Sequence, residues 1–183
     1  MLSEFVKPLV VAVASFALLV TGAGAADGTQ VVVTAGTLSI TNPAAADFAS
    51  RTIDGTAQTT TASLDAFTVT DATGSGAGWR VTAQASQFTY VPAVGTTRTL
   101  AAGSLSVSTP TVAANGTTSP DPTVSAGPFT IDVASAVQVA SAAVDTGMGA
   151  YDFGATTMTL SLPADVYAGT YTSTVTISVV SAP

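Results

Sequence analysis

Short segments in which apolar and polar residues alternate recur along the chain and predict β-strands. The clearest is residues 79–86, where Trp79 and every second residue after it are apolar and the intervening residues are polar. Residues 155–162 and 170–180 alternate in the same way. Successive side chains of a strand point to opposite faces, so each segment offers one apolar face to a core. With glycine and proline between the segments, we predict an all-β fold, an antiparallel β-sandwich of immunoglobulin-like or Greek-key type with about eight to ten short strands.

A glycine-rich turn precedes the Trp79 strand. Gly74, Gly76 and Gly78 follow an apolar segment at residues 64–70, and such glycines adopt backbone angles that other residues avoid. The simplest interpretation is a β-hairpin that joins the two strands. The apolar face of the second strand favours a buried Trp79, and an exposed ligand platform is the alternative.

The remaining segments are less regular. Residues 30–41 predict two short strands or one bulged strand, and residues 51–63 predict an edge or surface strand that contains an Asp54-Gly55 turn. Residues 88–100 carry Pro92 and Gly95 and indicate a long connection. Residues 113–128, with three prolines, are expected to be the least structured part of the mature chain.

The composition favours an extracellular β-protein. The chain has 183 residues, of which 47% are apolar and only 8% are charged. This length supports one domain with a sizeable core, and so few charges leave the surface to be hydrated by threonine, serine, glutamine and backbone groups. No cysteine is present, so the fold depends on packing and hydrogen bonds without disulfides.

Residues 1–25 have the features of a secretory signal peptide. Lys7 precedes an apolar run at residues 8–20, and Ala23-Gly24-Ala25 fits the small-x-small cleavage pattern. The apolar run is shorter than the roughly 20 residues that span a bilayer, which disfavours the alternative of an uncleaved membrane anchor. We expect residues 26–183 to form a single β-sandwich domain that is secreted and has no membrane association after cleavage.

The charged residues argue against several classes of partner and reaction. The formal net charge is −7, which disfavours nucleic acid and anionic lipid. Histidine and cysteine are absent, and the only lysine and glutamate are Lys7 and Glu4. Without the usual general bases and thiol nucleophiles, we expect no catalytic residues and no enzymatic activity.

Calcium is the small ligand that the composition best allows. Asp145, Asp152 and the backbone carbonyls of a turn predicted at residues 147–154 are candidate oxygen ligands, and Asp121 in the proline-rich loop is another. No EF-hand spacing is present, so capping of turns by these aspartates is the alternative.

Two short motifs resemble those of the WxL domain, a cell-surface module named for a Trp-x-Leu sequence. Gly76-Ala77-Gly78-Trp79 leads into Trp79-Arg80-Val81, and Ala168-Gly169-Thr170-Tyr171 precedes the last predicted strand. This chain has valine in place of the leucine, and its second motif falls on Ile177-Ser178-Val179, without tryptophan. The resemblance implies a secreted, non-enzymatic module that associates non-covalently with the Gram-positive cell wall, usually through peptidoglycan.

Aromatic and polar side chains supply the candidate ligand-binding surface. Aromatic rings stack on sugars, and a strand face that carries arginine and glutamine can hydrogen-bond to them; ordinary core or rim packing is the alternative for the rings. Tyr151 and Tyr167 are further rings of this kind. The candidates are Trp79, Arg80, Gln84, Tyr90 and Tyr171.

A second functional class stays open, namely a structural subunit of an extracellular filament or surface layer. Secreted β-sandwiches can polymerise by lending a strand to the open sheet edge of a neighbour. Exposed edges, a mobile Thr-rich N-terminal strand, a nearly uncharged surface and the absence from the mature chain of lysine, which usually protects sheet edges, are compatible with such a homo-polymer.

We predict that signal cleavage occurs after Ala25, because the apolar run ends at Val20 and the small-x-small pattern follows it. Intact-mass spectrometry of the protein from culture supernatant checks this. A secreted chain that still carries residues 1–25 would contradict the prediction and support a membrane anchor.

Overall fold

Fourteen strands make up the folded unit Thr34–Pro183. The computed structural model describes residues 29–182, so the predicted signal peptide lies outside the described residues. The strands are, in chain order, β1 (Leu38–Ile40), β2 (Gln58–Leu64), β3 (Phe67–Asp71), β4 (Trp79–Ala85), β5 (Thr89–Tyr90), β6 (Arg98–Thr99), β7 (Leu105–Val107), β8 (Val112–Asn115), β9 (Thr123–Val124), β10 (Phe129–Thr130), β11 (Val137–Ala142), β12 (Gly149–Phe153), β13 (Thr156–Leu162) and β14 (Val175–Ser181).

Antiparallel pairing builds three four-stranded sheets and one small ribbon. Sheet I has the order β1-β3-β12-β8, sheet II has β10-β7-β13-β2, sheet III has β14-β4-β11-β9, and β5 pairs with β6. The all-β, antiparallel sandwich prediction is confirmed. There are more strands than predicted, because four of them are only two residues long and too short to show alternation.

The described part of the chain holds no helix, and therefore none with the length and apolar character to cross a bilayer. The longer alternating segments form strands as predicted. In β13, Met158 and Leu160 are buried while Thr157 and Ser161 are exposed. The Thr-rich β2 is an edge strand, also as predicted.

The predicted hairpin between β3 and β4 is wrong. β3 belongs to sheet I and β4 to sheet III, and both neighbouring positions of β4 are taken by β11 and β14. The loop between them contains Gly74, Gly76 and Gly78, with φ of 64°, 64° and 76°. These left-handed conformations, which glycine adopts without steric cost, carry the chain from one sheet to the other rather than back along the same one.

Other segments also differ from their predicted conformation, among them residues 88–100, which contain the paired strands β5 and β6 as well as the predicted connection. Within residues 30–41 only Leu38–Ile40 is a strand, although the N–H of Gly36 donates to the carbonyl of Ala72 beside it. Residues 113–128 contain β9 and most of β8, because both strands find partners, β11 and β12, that are distant in sequence. Local composition could not show these pairings.

Trp79 lies at the centre of the core, as predicted. Its side chain is 0% exposed, and its indole Nε1 donates a hydrogen bond to the carbonyl of Gly147 over 2.8 Å. The ring packs against Tyr151 and Phe153 of β12, with centroid separations of 6.1 and 6.4 Å. Trp79 therefore joins sheet III to sheet I.

Ile131, which follows β10, links sheet II to sheet III. Its N–H donates to Leu105 of β7 in sheet II, and its carbonyl accepts from Ala85 of β4 in sheet III. The next residue, Asp132, is 2% exposed, and its carboxylate accepts hydrogen bonds from the N–H groups of Gly103 and Ser104. The three sheets are thus held together by packing and backbone hydrogen bonds.

We expect Trp79→Ala to lower the free energy of unfolding by about 3 to 5 kcal/mol, because it removes a large buried ring and its hydrogen bond. Denaturant titration measures the loss, and Val94→Ala, at a position that is 92% exposed, is the matched control with little expected effect. The emission of the single tryptophan gives an independent check. A maximum typical of water-exposed indole in the folded protein would contradict the core position.

Candidate functional site

The buried position of Trp79 removes it from the candidate binding surface. Its indole has no face open to a ligand, and its N–H group is already paired. Tyr151 is equally buried, and its hydroxyl donates to the carbonyls of Ser119 and Pro120 at 2.9 and 3.1 Å. The core interpretation holds for both rings, because alternation along β4 and β12 points them between the sheets.

Arg80 and Gln84 lie on the outer face of sheet III. Both alternate with the buried residues of β4, so they share the face opposite Trp79, as predicted. Across the ladder, Arg80 pairs with Ser141 and Val180, and Gln84 pairs with Thr176. This face is therefore rich in hydroxyl groups and carries one positive charge.

Tyr90 and Tyr171 come together at one end of the domain, although 80 residues separate them in sequence. The main chains of Thr89 and Thr172 exchange two hydrogen bonds of 2.9 Å and extend the pairing of β4 with β14. The two tyrosine rings lie 5.6 Å apart with a tilt of 50°. Alternation along the β14 segment places Tyr171 on the inner side, away from the face of Arg80.

Two further side chains complete this cluster. The guanidinium carbon of Arg98, on β6, lies 3.8 Å from the centroid of the Tyr167 ring, a cation–π contact. The hydroxyl of Tyr171 donates to the carbonyl of Tyr167 over 3.2 Å. We call Tyr90, Arg98, Tyr167, Gly169 and Tyr171 the tyrosine end.

Gly169 makes the close packing of the tyrosine end feasible. A Cβ atom placed on Gly169 would lie only 2.6 Å from Cδ1 and Cζ of Tyr90. Because the glycine has no side chain, the ring of Tyr90 rests directly on its backbone. The Ala-Gly-Thr-Tyr sequence at residues 168–171 thus has a structural reason for its glycine.

Two grooves open beside Tyr167 and share a wall made of Pro163, Val166, Tyr167 and Tyr171. The Arg51 groove has a volume of about 450 Å³, and the Arg98 groove has about 380 Å³. The Arg51 groove is completed by Arg51, Thr52, Ile53, Thr56, Gln58, Leu162, Ala168 and Gly169. The Arg98 groove is completed by Thr97, Arg98, Thr99, Leu100, Ala101 and Asp165.

The loop that leads into the Arg51 groove is ordered by Asp54. The hydroxyl and the N–H of Thr56 donate to its carboxylate at 2.7 and 2.9 Å. These hydrogen bonds lower the pKa of Asp54 below its usual value, and the one from the Thr56 hydroxyl has the largest effect. The carboxylate is therefore ionised at neutral pH and held by its own turn.

The predicted turn at residues 147–154 is wrong, because residues 149–153 form β12 between β3 and β8. The backbone groups of a strand paired on both sides serve the sheet rather than a cation. Asp152 accepts hydrogen bonds from Thr68 and Asn115, and Asp145 lies in a turn with φ of 61°. Among residues 29–182 no group of three acidic side chains could hold a metal, and calcium binding at Asp145, Asp152 or Asp121 stays a prediction.

Comparison with known families identifies the family of this chain. The family model of the WxL domain, described as a surface cell wall-binding domain, matches residues 24–183. The chain belongs to the WxL family. No curated protein and no solved structure matches it. This WxL domain is accordingly a cell-surface module of a family that binds the cell wall.

The two motif segments of this WxL domain lie side by side. Trp79-Arg80-Val81 is on β4, and Ile177-Ser178-Val179 is on the adjacent β14, with Val179 paired to Val81 and Ile177 paired to Ala83. Ile177 faces inward and packs against the core. The position of the second motif is therefore occupied by a smaller apolar side chain that is partly buried against the core.

Sequence reasoning named Tyr90 and Tyr171 but missed Arg51 and Gly169 as parts of one site. Arg51 lies in a loop without periodicity, and nothing local connects it to Tyr167. The available signal was composition, because only three arginines occur in the chain and each was worth considering as a ligand contact.

We expect Gly169→Ala to displace Tyr90 and to lower the free energy of unfolding by about 1 to 3 kcal/mol, the usual cost of overpacking. NMR spectra of protein labelled in its four tyrosine rings should show shifts for Tyr90 and Tyr171 but not for Tyr151. Thr170→Ala, at the exposed neighbouring residue, is the control. Unchanged Tyr90 signals in Gly169→Ala would contradict the close packing.

Proposed function

We propose that this WxL domain is a secreted, non-enzymatic module that attaches non-covalently to peptidoglycan through its tyrosine end. The observation that carries the proposal is the cluster of Tyr90, Tyr167 and Tyr171 beside two grooves, in a family that binds the cell wall. Grooves with aromatic walls and a few polar groups are the usual form of a small-ligand site.

The tyrosine rings are arranged before any ligand arrives. Tyr90 is held against Gly169 and Tyr171, and Tyr167 is held by Arg98. Rings fixed in this way lose little side-chain entropy when they stack on a sugar, which favours binding. Tyr167 is 55% exposed and is accessible to a polymer as large as the wall.

Charge attraction over long distances contributes little to this attachment. The chain has net charge −7, and wall polymers such as teichoic acids are themselves anionic. Stacking and hydrogen bonds within the grooves are therefore the main expected source of affinity. The residue composition, which lacks histidine and cysteine, supports a binding role rather than catalysis.

We expect Tyr167→Ala and Tyr171→Ala each to weaken co-sedimentation with purified peptidoglycan by about tenfold, because each removes a stacking surface. The double variant Arg80→Ala with Gln84→Ala is the matched control from the outer face of sheet III. Thermal melts establish that every variant is folded. If the double variant loses binding and the tyrosine variants do not, the predicted Arg80 and Gln84 surface is the site.

Salt and chelator distinguish direct contacts from bridging by ions. Direct stacking and hydrogen bonds should survive about 0.5 M NaCl, where screening acts within a few ångströms, and should not respond to EDTA. Release by EDTA would instead support bridging by calcium. No sedimentation at either salt concentration, with or without calcium, would contradict wall binding.

The second candidate function is a structural subunit assembled by strand sharing. The observation that favours it is the exposure of Val31, Val32 and Val33, at 83%, 77% and 87%, in a segment of high strand propensity. The edge strand β8 also carries exposed residues, Ala113, Ala114 and Asn115. Negative-stain microscopy of the secreted protein tests this function, and a monomer without filaments at high concentration would contradict it.

A further inference from the structure

The arginines of this acidic chain are unevenly placed. Arg51, Arg80 and Arg98 are the only arginines, and the only lysine is Lys7. Arg51 and Arg98 line the two grooves that meet at Tyr167. In a protein with net charge −7, two of the three arginines thus line grooves that share Tyr167.

The two arginines have different surroundings. Arg98 lies over the Tyr167 ring and shares its groove with the carboxylate of Asp165. Arg51 is the only charged residue that lines its groove, and the ionised carboxylate of Asp54, hydrogen-bonded by Thr56, is not part of that lining. The Arg51 groove is therefore the one suited to an anionic group.

The contact with Arg98 also determines which face of the Tyr167 ring can contact a ligand. One face of the ring is covered by the guanidinium at 3.8 Å, so a ligand can stack only on the other face. Tyr167 and Arg51 line the same groove, whose volume of about 450 Å³ lies within the range of small-ligand sites. Gln58, Thr52 and Thr56 add polar groups to its wall.

We propose that the Arg51 groove binds a sugar of the wall glycan together with a carboxylate of the peptide attached to it, with the sugar ring on Tyr167 and the carboxylate on Arg51. The planar guanidinium can donate two parallel hydrogen bonds to a carboxylate, which gives direction as well as attraction. This inference rests on the proposed function and specifies it. The groove recognises the peptide-bearing sugar units of the wall glycan, with their free peptide carboxylates, rather than neutral sugars alone.

Binding by isothermal titration calorimetry to the full secreted chain tests the assignment. The probes are a purified disaccharide muropeptide, the same muropeptide with its carboxylates amidated, a neutral N-acetylglucosamine tetramer and a glycerol phosphate oligomer. We expect the native muropeptide to bind about tenfold tighter than the amidated form, the usual effect of one charge-assisted pair. Arg51→Gln should abolish that preference by weakening binding of the native muropeptide to about the level of the amidated form.

Two further variants make the test specific. Arg51→Lys keeps the positive charge but loses the planar guanidinium with its two parallel donors. We expect it to keep only part of the preference for the native muropeptide over the amidated form. Arg80→Gln removes an arginine from the outer face of sheet III and should keep all of it. Equal binding of native and amidated muropeptide by the unchanged protein, or a preference that survives Arg51→Gln, would overturn the assignment.

The outcomes also separate this inference from the proposed function. Sedimentation with peptidoglycan that persists in Arg51→Gln, together with an unaltered preference, would refute the carboxylate site and leave wall binding intact. Tighter binding of the glycerol phosphate oligomer than of the muropeptide would assign the groove to phosphate and overturn the inference. Absence of binding to peptidoglycan and to every probe would refute both.

Discussion

The indole of Trp79 is the contact on which the rest of the domain depends. Its N–H group is bonded to Gly147, just before β12, and its ring packs on Tyr151 and Phe153. Tyr151 in turn bonds to the loop that contains Ser119. One buried cluster therefore fixes two sheets and a loop in a chain that has no cysteine. The same side chain that gives the family its name is thus a structural element here.

The core and the candidate site are linked through the pairing of β4 with β14 and an isolated bridge beyond it. β4 begins at Trp79, pairs with β14 along its length, and the pairing continues to Thr89 and Thr172 beside the tyrosine end. A change near Trp79 therefore alters the frame that holds Tyr90 and Tyr171. Loss of wall binding in a Trp79 variant would report on folding, whereas Tyr167, which is 55% exposed, reports on contact with the ligand.

The accuracy of sequence-based prediction depended on whether the deciding interactions were local. Alternation identified β4, β13 and β14 and the buried side of Trp79, because period two is written in consecutive residues. It failed for the connection from β3 to β4, because alternation does not show which sheet a strand joins. It also failed for β12, because the glycines at residues 147, 149 and 154 have the composition of a turn. The pairing of Tyr90 with Tyr171 and the position of Arg51 depend on contacts between distant segments, which no local pattern records.

The long sequence separation of the paired strands has a consequence for how this domain folds. β2 pairs with β13, β3 with β12 and β4 with β14, so each of these early strands waits for a partner near the other end of the chain. Closing such long loops costs chain entropy before any contact compensates for it, and folding rates fall accordingly. Sheets II and III therefore cannot be completed until β13 and β14, the last two strands of the described residues, are available.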